Sequence, residues 1–315
     1  MIRIMSHLWA QTITINQDLA QRLVEQQTDL IVSSIEILAE GWDNVAYLIN
    51  KQFVFRFPRR EFGLDCMENE LVILPYLAKN ISFPFSNPIY IGKPSDIYPA
   101  SFAGYPILQG NPLSDLNVAF IHDEKFAQTL GKWLKELHSI PICNEHHTKI
   151  KGDQLWRTDL PDIVERSNKR IVQYESYFEE AGFHKNELFS AVEKVSQLKI
   201  NNLDKKSYIH GDLYSKHLLV DNQKDPCGII DWGDIHIGNP GIDLSIGLMI
   251  FSDPALQVFF DSYGTLTGEM KTRAMIRALQ HPIALLPYCY ERGEERLKNW
   301  TILALTKAVT EVLKA

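Results

Sequence analysis

This chain lacks a long apolar run, a basic tract, a paired-cysteine motif and a glycine-rich loop. Its longest strongly apolar stretch, Ile246 to Phe251, falls far short of the roughly 20 residues that a membrane span needs. The first residues, Met1 to Ser6, hold one arginine and no apolar segment of signal-peptide length. No run of lysine and arginine stands out and the formal net charge is -7, which argues against a nucleic-acid partner. The acid excess favours solubility and suits a cationic ligand only weakly. The four cysteines, Cys66, Cys143, Cys227 and Cys289, lie far apart with no CxxC pair. That pattern argues against a zinc site and reads as free thiols in a reducing compartment. There is no internal repeat and no low-complexity tract. The expectation is a cytoplasmic protein with no membrane and no nucleic-acid partner, its state as monomer or dimer left open.

What is present suffices for about two domains in 315 residues. A composition 45% hydrophobic and 23% charged is that of a globular chain with a real core. Residues 35–39, 45–49 and 53–57 are β-branched and aromatic runs broken by EGWDN and by Asn50-Lys51, a hairpin pattern. Pro58 stops the third run. Residues 65–79 read as a helix, with Leu71, Leu74 and Leu77 at helical spacing and Pro75 expected to bend or cap it. More strand follows from 88 to 108. From about 112 the character turns helical. Phe126, Leu130, Trp133, Leu134 and Leu137 share one face of 124–138. Further helices are expected over 161–200 and beyond 241, with strand and loop over 208–234. The expected architecture is α+β: a small N-terminal antiparallel β lobe (1–108) and a larger, mainly helical C-terminal lobe (109–315), with a ligand cleft between them.

The strongest chemical signal is IHGDLYSKHLLVD at 209–221 followed by IIDWGD at 229–234. Phosphoryl transfer needs a carboxylate to orient the attacking hydroxyl and oxygen ligands to hold Mg²⁺ against the phosphates. Asp212 and Asp231 meet that need, because Mg²⁺ keeps several waters and takes only one or two protein carboxylates. Alone, HGD could be a turn with a capping aspartate, and IIDWG a strand end with an Asx turn. His210 reads as a hydrogen-bonded structural histidine.

On these motifs the chain resembles the aminoglycoside phosphotransferase family, with its two-lobed protein-kinase-like fold. HGDLYSKHLL looks like that family's catalytic loop and IIDWGDIHIGNPGIDL like its metal-binding segment. The resemblance implies Asp212 as the catalytic aspartate, Asp231 as the principal Mg²⁺ ligand, and Asp243 as an acid buttressing the loops, or simply a residue at a helix start. His217 stands where the common pattern has asparagine; macrolide and 2''-type aminoglycoside kinases share this histidine. Whether it ligates the metal directly is left open, since its nitrogen is softer than a carbonyl oxygen.

In FVFRF, alternation puts Phe53, Phe55 and Phe57 on one face and Arg56 on the other. Arg56 then supplies a cation at the nucleotide phosphates, where the family usually has lysine. Glu70 aligns with the acid that pairs with it, Glu68 being the fallback; a surface ion pair is the plainer reading. Gly41, Asp43 and Asn44 lie where a phosphate-covering loop belongs, or form an ordinary hairpin turn. Ile107 and Leu108, in GYPILQGNPL, look like the hinge whose backbone faces the base.

The resemblance implies a phosphotransferase with an alcohol group as acceptor, Mg²⁺ as cofactor and ATP or GTP as phosphoryl donor. Asp212, with ordinary carboxylate basicity, orients the hydroxyl. Phrases such as RFPRR and YPILQGNPL look like macrolide 2'-kinases, while NVAYLIN and SFAGY look like 2''-type aminoglycoside kinases. The apolar stretch 244–260, with Asp253 as its only acid past Asp243, leans toward a macrolide-like acceptor, or else is core. Tyr288, Tyr290, Glu291, Glu294 and Glu295 offer a second candidate wall, or a solvated helix face laced with Arg292 and Arg296. A housekeeping small-molecule kinase, a nucleotide-binding pseudokinase and a plain ligand-binding protein are the alternatives.

Overall fold

A computed structural model describes residues 13–314 except 42, 119, 120, 154, 156 and 158. The N-terminal segment and Trp42, both read above, lie outside the described residues. The first elements are α1 (Gln17–Gln27), β1 (Ile35–Glu40), β2 (Asn44–Ile49), β3 (Phe53–Pro58), α2 (Glu61–Leu77), β4 (Tyr90–Gly92), β5 (Phe102–Pro106) and β6 (Asn111–Pro112). Then come α3 (Glu124–Ser139), α4 (His146–Lys149), α5 (Leu160–Gln173), α6 (Glu175–Glu180) and α7 (Lys185–Ser196). Short strands follow: β7 (Ser207–Ile209), β8 (Leu218–Val220), β9 (Pro226–Ile229) and β10 (His236–Gly238). The last are α8 (Gly241–Ile250), α9 (Ala255–Tyr263), α10 (Gly268–Arg292) and α11 (Glu295–Lys314). The mixed α+β class expected from the sequence is borne out.

The chain forms two compact units. The first holds the described residues up to Gln109, with Cys143–Lys151 and Ile229–Ile235 added from further along. Its antiparallel sheet has the order β1-β2-β3-β5-β4. Asn50 and Lys51 set the β2–β3 register. Both take left-handed φ, +53° and +54°, in a turn closed by the Gln52 amide donating to the Ile49 carbonyl at 3.0 Å, the geometry that matches strand twist. Alternation then buries Val45, Tyr47, Ile49, Phe55 and Phe57 together with Tyr98 and Phe102. Phe53, expected in the same core, is half-buried at its margin. Phe57 stacks on Phe102 with ring centroids 4.7 Å apart. Gly104 on β5 is required here, because a Cβ would stand 2.5 Å from the Phe55 ring.

The strand-rich reading of the first third omits α1, which covers the core with Ala20, Leu23 and Val24. Its start is marked by Asn16, whose side chain accepts the Leu19 amide at 2.9 Å, a capping signal open to sequence reading. Pro75 lies inside α2, and the helix continues to Leu77.

The second unit comprises Gly110–Ile142, Gly152–Gly228 and His236 onward. At its centre α8 is buried along nearly its whole length and packs against α10 and α11. Helix α3 begins at Asp123, which accepts the amides of Lys125 and Phe126 at 2.8 and 3.1 Å. Its apolar face buries Phe126, Leu130, Leu134 and Leu137, with Trp133 at the edge, and α9 packs along it. Strand β10 pairs antiparallel with β7, His236 opposite Ile209. That pair places the 210–212 turn beside the start of α8. No helix among the described residues is long and apolar enough to cross a membrane.

Candidate active site

In the first unit, β3, α2 and the 229–235 segment bring three predicted residues together. Arg56 donates through Nη1 to Glu70 Oε1 at 2.6 Å, and its Nη2 lies 2.9 Å from Asp231 Oδ1. Tyr105 on β5 donates to Glu70 Oε2 at 2.5 Å. The Glu70 side chain is only 1% exposed, so it needs both partners; burial pushes its carboxyl up, and Arg56 and Tyr105 pull it back. Arg56 stays charged, since the carboxylates outweigh the burial that would discharge it. Glu68, the fallback, is exposed on the same helix.

Asp231 is unlike its neighbours. Trp232 beside it is fully buried, its indole donating to the Ile229 carbonyl at 3.1 Å. The Asp231 side chain is 46% exposed, and its backbone sits at φ +62°. A non-glycine residue there costs of order 1 kcal/mol or more and is retained where the surroundings enforce it. Gly233 leaves space for the arginine: a Cβ would stand 3.2 Å from Arg56 Nη2.

The 40–44 turn is tied down by arginines. The Gly41 amide donates to the Asn44 carbonyl and the Arg59 amide to the Asp43 carbonyl, at 2.9 and 2.8 Å. The Asp43 carboxylate is held by Arg60. Burial pushes that carboxyl up although Arg60 opposes it. Asn44 Oδ1 is buried with no hydrogen-bond partner among the described residues. Past β5, the Ile107 amide donates to the Gln52 carbonyl at 2.8 Å. Of the Ile107 and Leu108 backbone expected to face a base, the Ile107 amide is therefore already engaged.

In the second unit the 210–212 turn is built on Asp243, at the start of α8. Its carboxylate accepts the amides of His210 and Gly211 at 2.7 and 2.9 Å, and His138 Nε2 lies 3.1 Å away. Tyr263 engages the other nitrogen of His138 at 3.1 Å. Burial would raise the Asp243 carboxyl, but the hydrogen bond from His138, the histidine charges and the Gly211 amide bring it below its ordinary value. Gly211 takes φ +85°, which glycine adopts without strain. His210 is wholly buried, and its Nδ1 accepts the Asp212 amide at 3.3 Å.

Asp212 projects from this turn with its side chain 20% exposed. Arg277 Nη2 on α10 donates to its Oδ1 at 2.6 Å. Arg157 Nη2 and His281 Nδ1 lie 3.6 and 3.8 Å from the same oxygen. Burial would raise this carboxyl, yet Arg157 and Arg277 hold it well below the usual carboxylate range. Ordinary basicity, expected from the sequence, is thereby corrected: Asp212 is a firmly ionised hydrogen-bond acceptor and a weak base. Burial and the Arg277 charge push His281 down to about 3, so it is neutral. His217 Nδ1 and the Asp212 carbonyl are 2.8 Å apart. That pairing makes Nδ1 the protonated nitrogen, so a metal could bond only Nε2.

Arg277, Arg157, His281, His138 and Tyr105 are absent from the sequence-based list. Arg277, Gln280 and His281 interrupt an otherwise apolar helical pattern in MIRALQHPIALL. Polar groups in such a run must be satisfied inside the fold, and that was the available signal. Of the apolar residues read as a substrate wall or as core, Met249, Ile250, Phe251 and Phe259 are buried, while Leu248 and Phe260 are half-buried. Their composition reports on packing and not on the acceptor. Tyr290 stacks on Tyr177 at 4.6 Å, and Glu291 and Glu295 are exposed.

Residues 34–279 match the model of the phosphotransferase enzyme family, and the chain belongs to that family. Among solved structures it is similar to the GDP complex of aminoglycoside 2'-phosphotransferase-IIIa, at 22% identity and a TM-score of 0.69 over 94% of this chain and 99% of that one. It is also similar to macrolide 2'-phosphotransferase type I, at 18% identity and TM-score 0.61 over 96% and 99%. The MphH macrolide kinase from Brachybacterium faecium matches at 19% identity and TM-score 0.61 over 91% and 97%. A curated relative, the uncharacterized protein YcbJ of Bacillus subtilis strain 168, is 20% identical over 276 residues, 80% of this chain and 82% of its own. The fold is thus the protein-kinase-like α+β fold of these phosphotransferases.

Proposed function

We propose that the protein transfers the γ-phosphoryl group of ATP or GTP to a hydroxyl of a small molecule. The observation that carries this reading is Asp231, an exposed carboxylate held in left-handed backbone conformation against Arg56. Strain of that kind is kept for function. The first unit is assigned the nucleotide, with Arg56, set by Glu70, on its phosphates. Gly41, Asp43 and Asn44 cover them, and Ile107 and Leu108 take the base.

Asp231 fits Mg²⁺ by its chemistry, being a hard, solvent-accessible oxygen donor that leaves room for water ligands. His217 Nε2 is the second candidate. When bound, Mg²⁺ neutralises charge on the phosphates.

The second unit is assigned the acceptor. Asp212 accepts a hydrogen bond from its hydroxyl and orients that oxygen for attack on phosphorus. The weak basicity of Asp212 suits a loose transition state, which needs orientation more than early proton removal. Arg157 and Arg277 beside Asp212 disfavour a polycation such as an aminoglycoside and favour a macrolide-like or other acceptor with few charges. A housekeeping substrate shares that support.

The test is nucleotide binding followed by melting temperature. ATP or GTP with Mg²⁺ is expected to raise the transition of the purified protein. No shift with either nucleotide would defeat the reading.

A further inference from the structure

The contacts of the Asp212 carboxylate converge on one oxygen. Oδ1 takes Arg277 at 2.6 Å, with Arg157 and His281 behind it at 3.6 and 3.8 Å. Among the described residues nothing comparable holds Oδ2. A carboxylate on a short side chain turns about χ2, a broad torsion with no strong preference of its own. Something must therefore fix which oxygen meets the acceptor. The guanidinium that does so is itself clamped: Arg277 Nη1 donates to Gln280 Oε1 at 2.7 Å, within the same helix. Arg277 and Gln280 are both buried, so their rotamers are set by packing.

We propose that Arg277, steered by Gln280, is a positioning residue that immobilises Oδ1 of Asp212 and thereby presents Oδ2 to the reacting hydroxyl. The inference rests on the assignment of Asp212 given under Proposed function. In the step it serves, the acceptor oxygen forms a bond to the γ-phosphorus while the bond from that phosphorus to the β-bridging oxygen breaks. The nucleoside diphosphate leaves with the electron pair. The hydroxyl proton passes to Asp212 Oδ2 and on to solvent. Arg277 takes no part in the bonds exchanged. It acts through the angle and position of Oδ2, and a displacement of about 1 Å costs of order a hundredfold in rate.

The experiment uses the full chain with ATP or GTP and Mg²⁺ and measures phosphate release with water as the acceptor. Arg277→Ala should lower kcat about 10²-fold and leave the KM for nucleotide within about a factor of two. Millimolar guanidinium chloride should restore part of kcat in Arg277→Ala, and equal sodium chloride should not, because only the guanidinium can refill the vacated place. Should Arg277→Ala fail to fold, Gln280→Leu keeps the charge and frees its direction. It should lower kcat severalfold, again with KM unchanged.

An unchanged kcat in either folded variant overturns the inference, as does a loss in kcat and KM together without guanidinium rescue. Asp212→Asn separates the two claims. If it retains the full rate, the assignment of Asp212 fails. If it is inactive while Arg277→Ala is not, only the positioning role fails. A wild type that neither releases phosphate nor phosphorylates any small-molecule acceptor removes both.

Discussion

Arg56 on β3 and Glu70 on α2 form an ion pair 2.6 Å long, with the Glu70 side chain 1% exposed. The pair has little water to fall back on. Removing one partner leaves a buried charge unpaired, at a cost of about 3–5 kcal/mol. Arg56→Met is therefore expected to lower the melting temperature sharply. Arg56→Met with Glu70→Leu should recover much of that loss, since an apolar pair of similar volume replaces the ions. Thermal unfolding of the two variants checks this. Nucleotide affinity should stay low in both, because neither restores a cation beside the phosphates.

The Asp243 carboxylate ties the 210–212 turn to α8 and α3. Its folded-state carboxyl lies below the ordinary value. Such a group contributes stability that is present above the unfolded pKa, near 3.9, and is lost as pH falls through the folded value. Asp243→Asn should lower stability at neutral pH by about 2 kcal/mol or more, the loss of a hydrogen bond to a charged acceptor. Its melting temperature should also vary less between about pH 5 and 3 than that of the wild type. Melting followed over that range checks both. Equal slopes would mean that Asp243 does not titrate as described.

Asp231→Asn tests the metal assignment without disturbing the backbone, because asparagine also tolerates left-handed φ. The unliganded melting temperature should change little, within about 1 kcal/mol of stability, since Arg56 keeps Glu70. Stabilisation by nucleotide with Mg²⁺ should largely disappear. In the wild type, EDTA should have the same effect on nucleotide stabilisation and excess Mg²⁺ should reverse it. Retention of the full shift in Asp231→Asn would remove this residue from the metal site.

Much of this arrangement was legible in the sequence, and what escaped has physical causes. The β2–β3 hairpin could be read because Asn50-Lys51 separates two alternating runs, and alternation alone sends Arg56 opposite to Phe55 and Phe57. Glu70 could be chosen only through resemblance: both Glu68 and Glu70 lie on α2, and burial that separates them arises from packing against β3 and β5. Arg277 and His281 meet Asp212 across a large sequence separation, and no local period encodes such a meeting. The apolar run 244–260 admitted two readings, wall or core, for the complementary reason. A helix apolar all round is buried core, and α8 is that helix. α1 was missed although Asn16 announced it, because the strands that follow dominated the composition of that region.

The central claim is that Asp212 serves the transfer of a phosphoryl group from nucleotide to a hydroxyl. The most direct measurement incubates the purified protein with ATP or GTP, Mg²⁺ and a panel of macrolides, aminoglycosides and simple sugar and amino alcohols, and reads each acceptor by mass spectrometry. The account predicts that at least one acceptor gains the mass of a single phosphoryl group, and that Asp212→Asn lowers its formation by about 10²–10⁴-fold while still binding nucleotide. Equal product from the Asp212→Asn variant, or a wild type that binds nucleotide yet phosphorylates nothing in the panel, would contradict it.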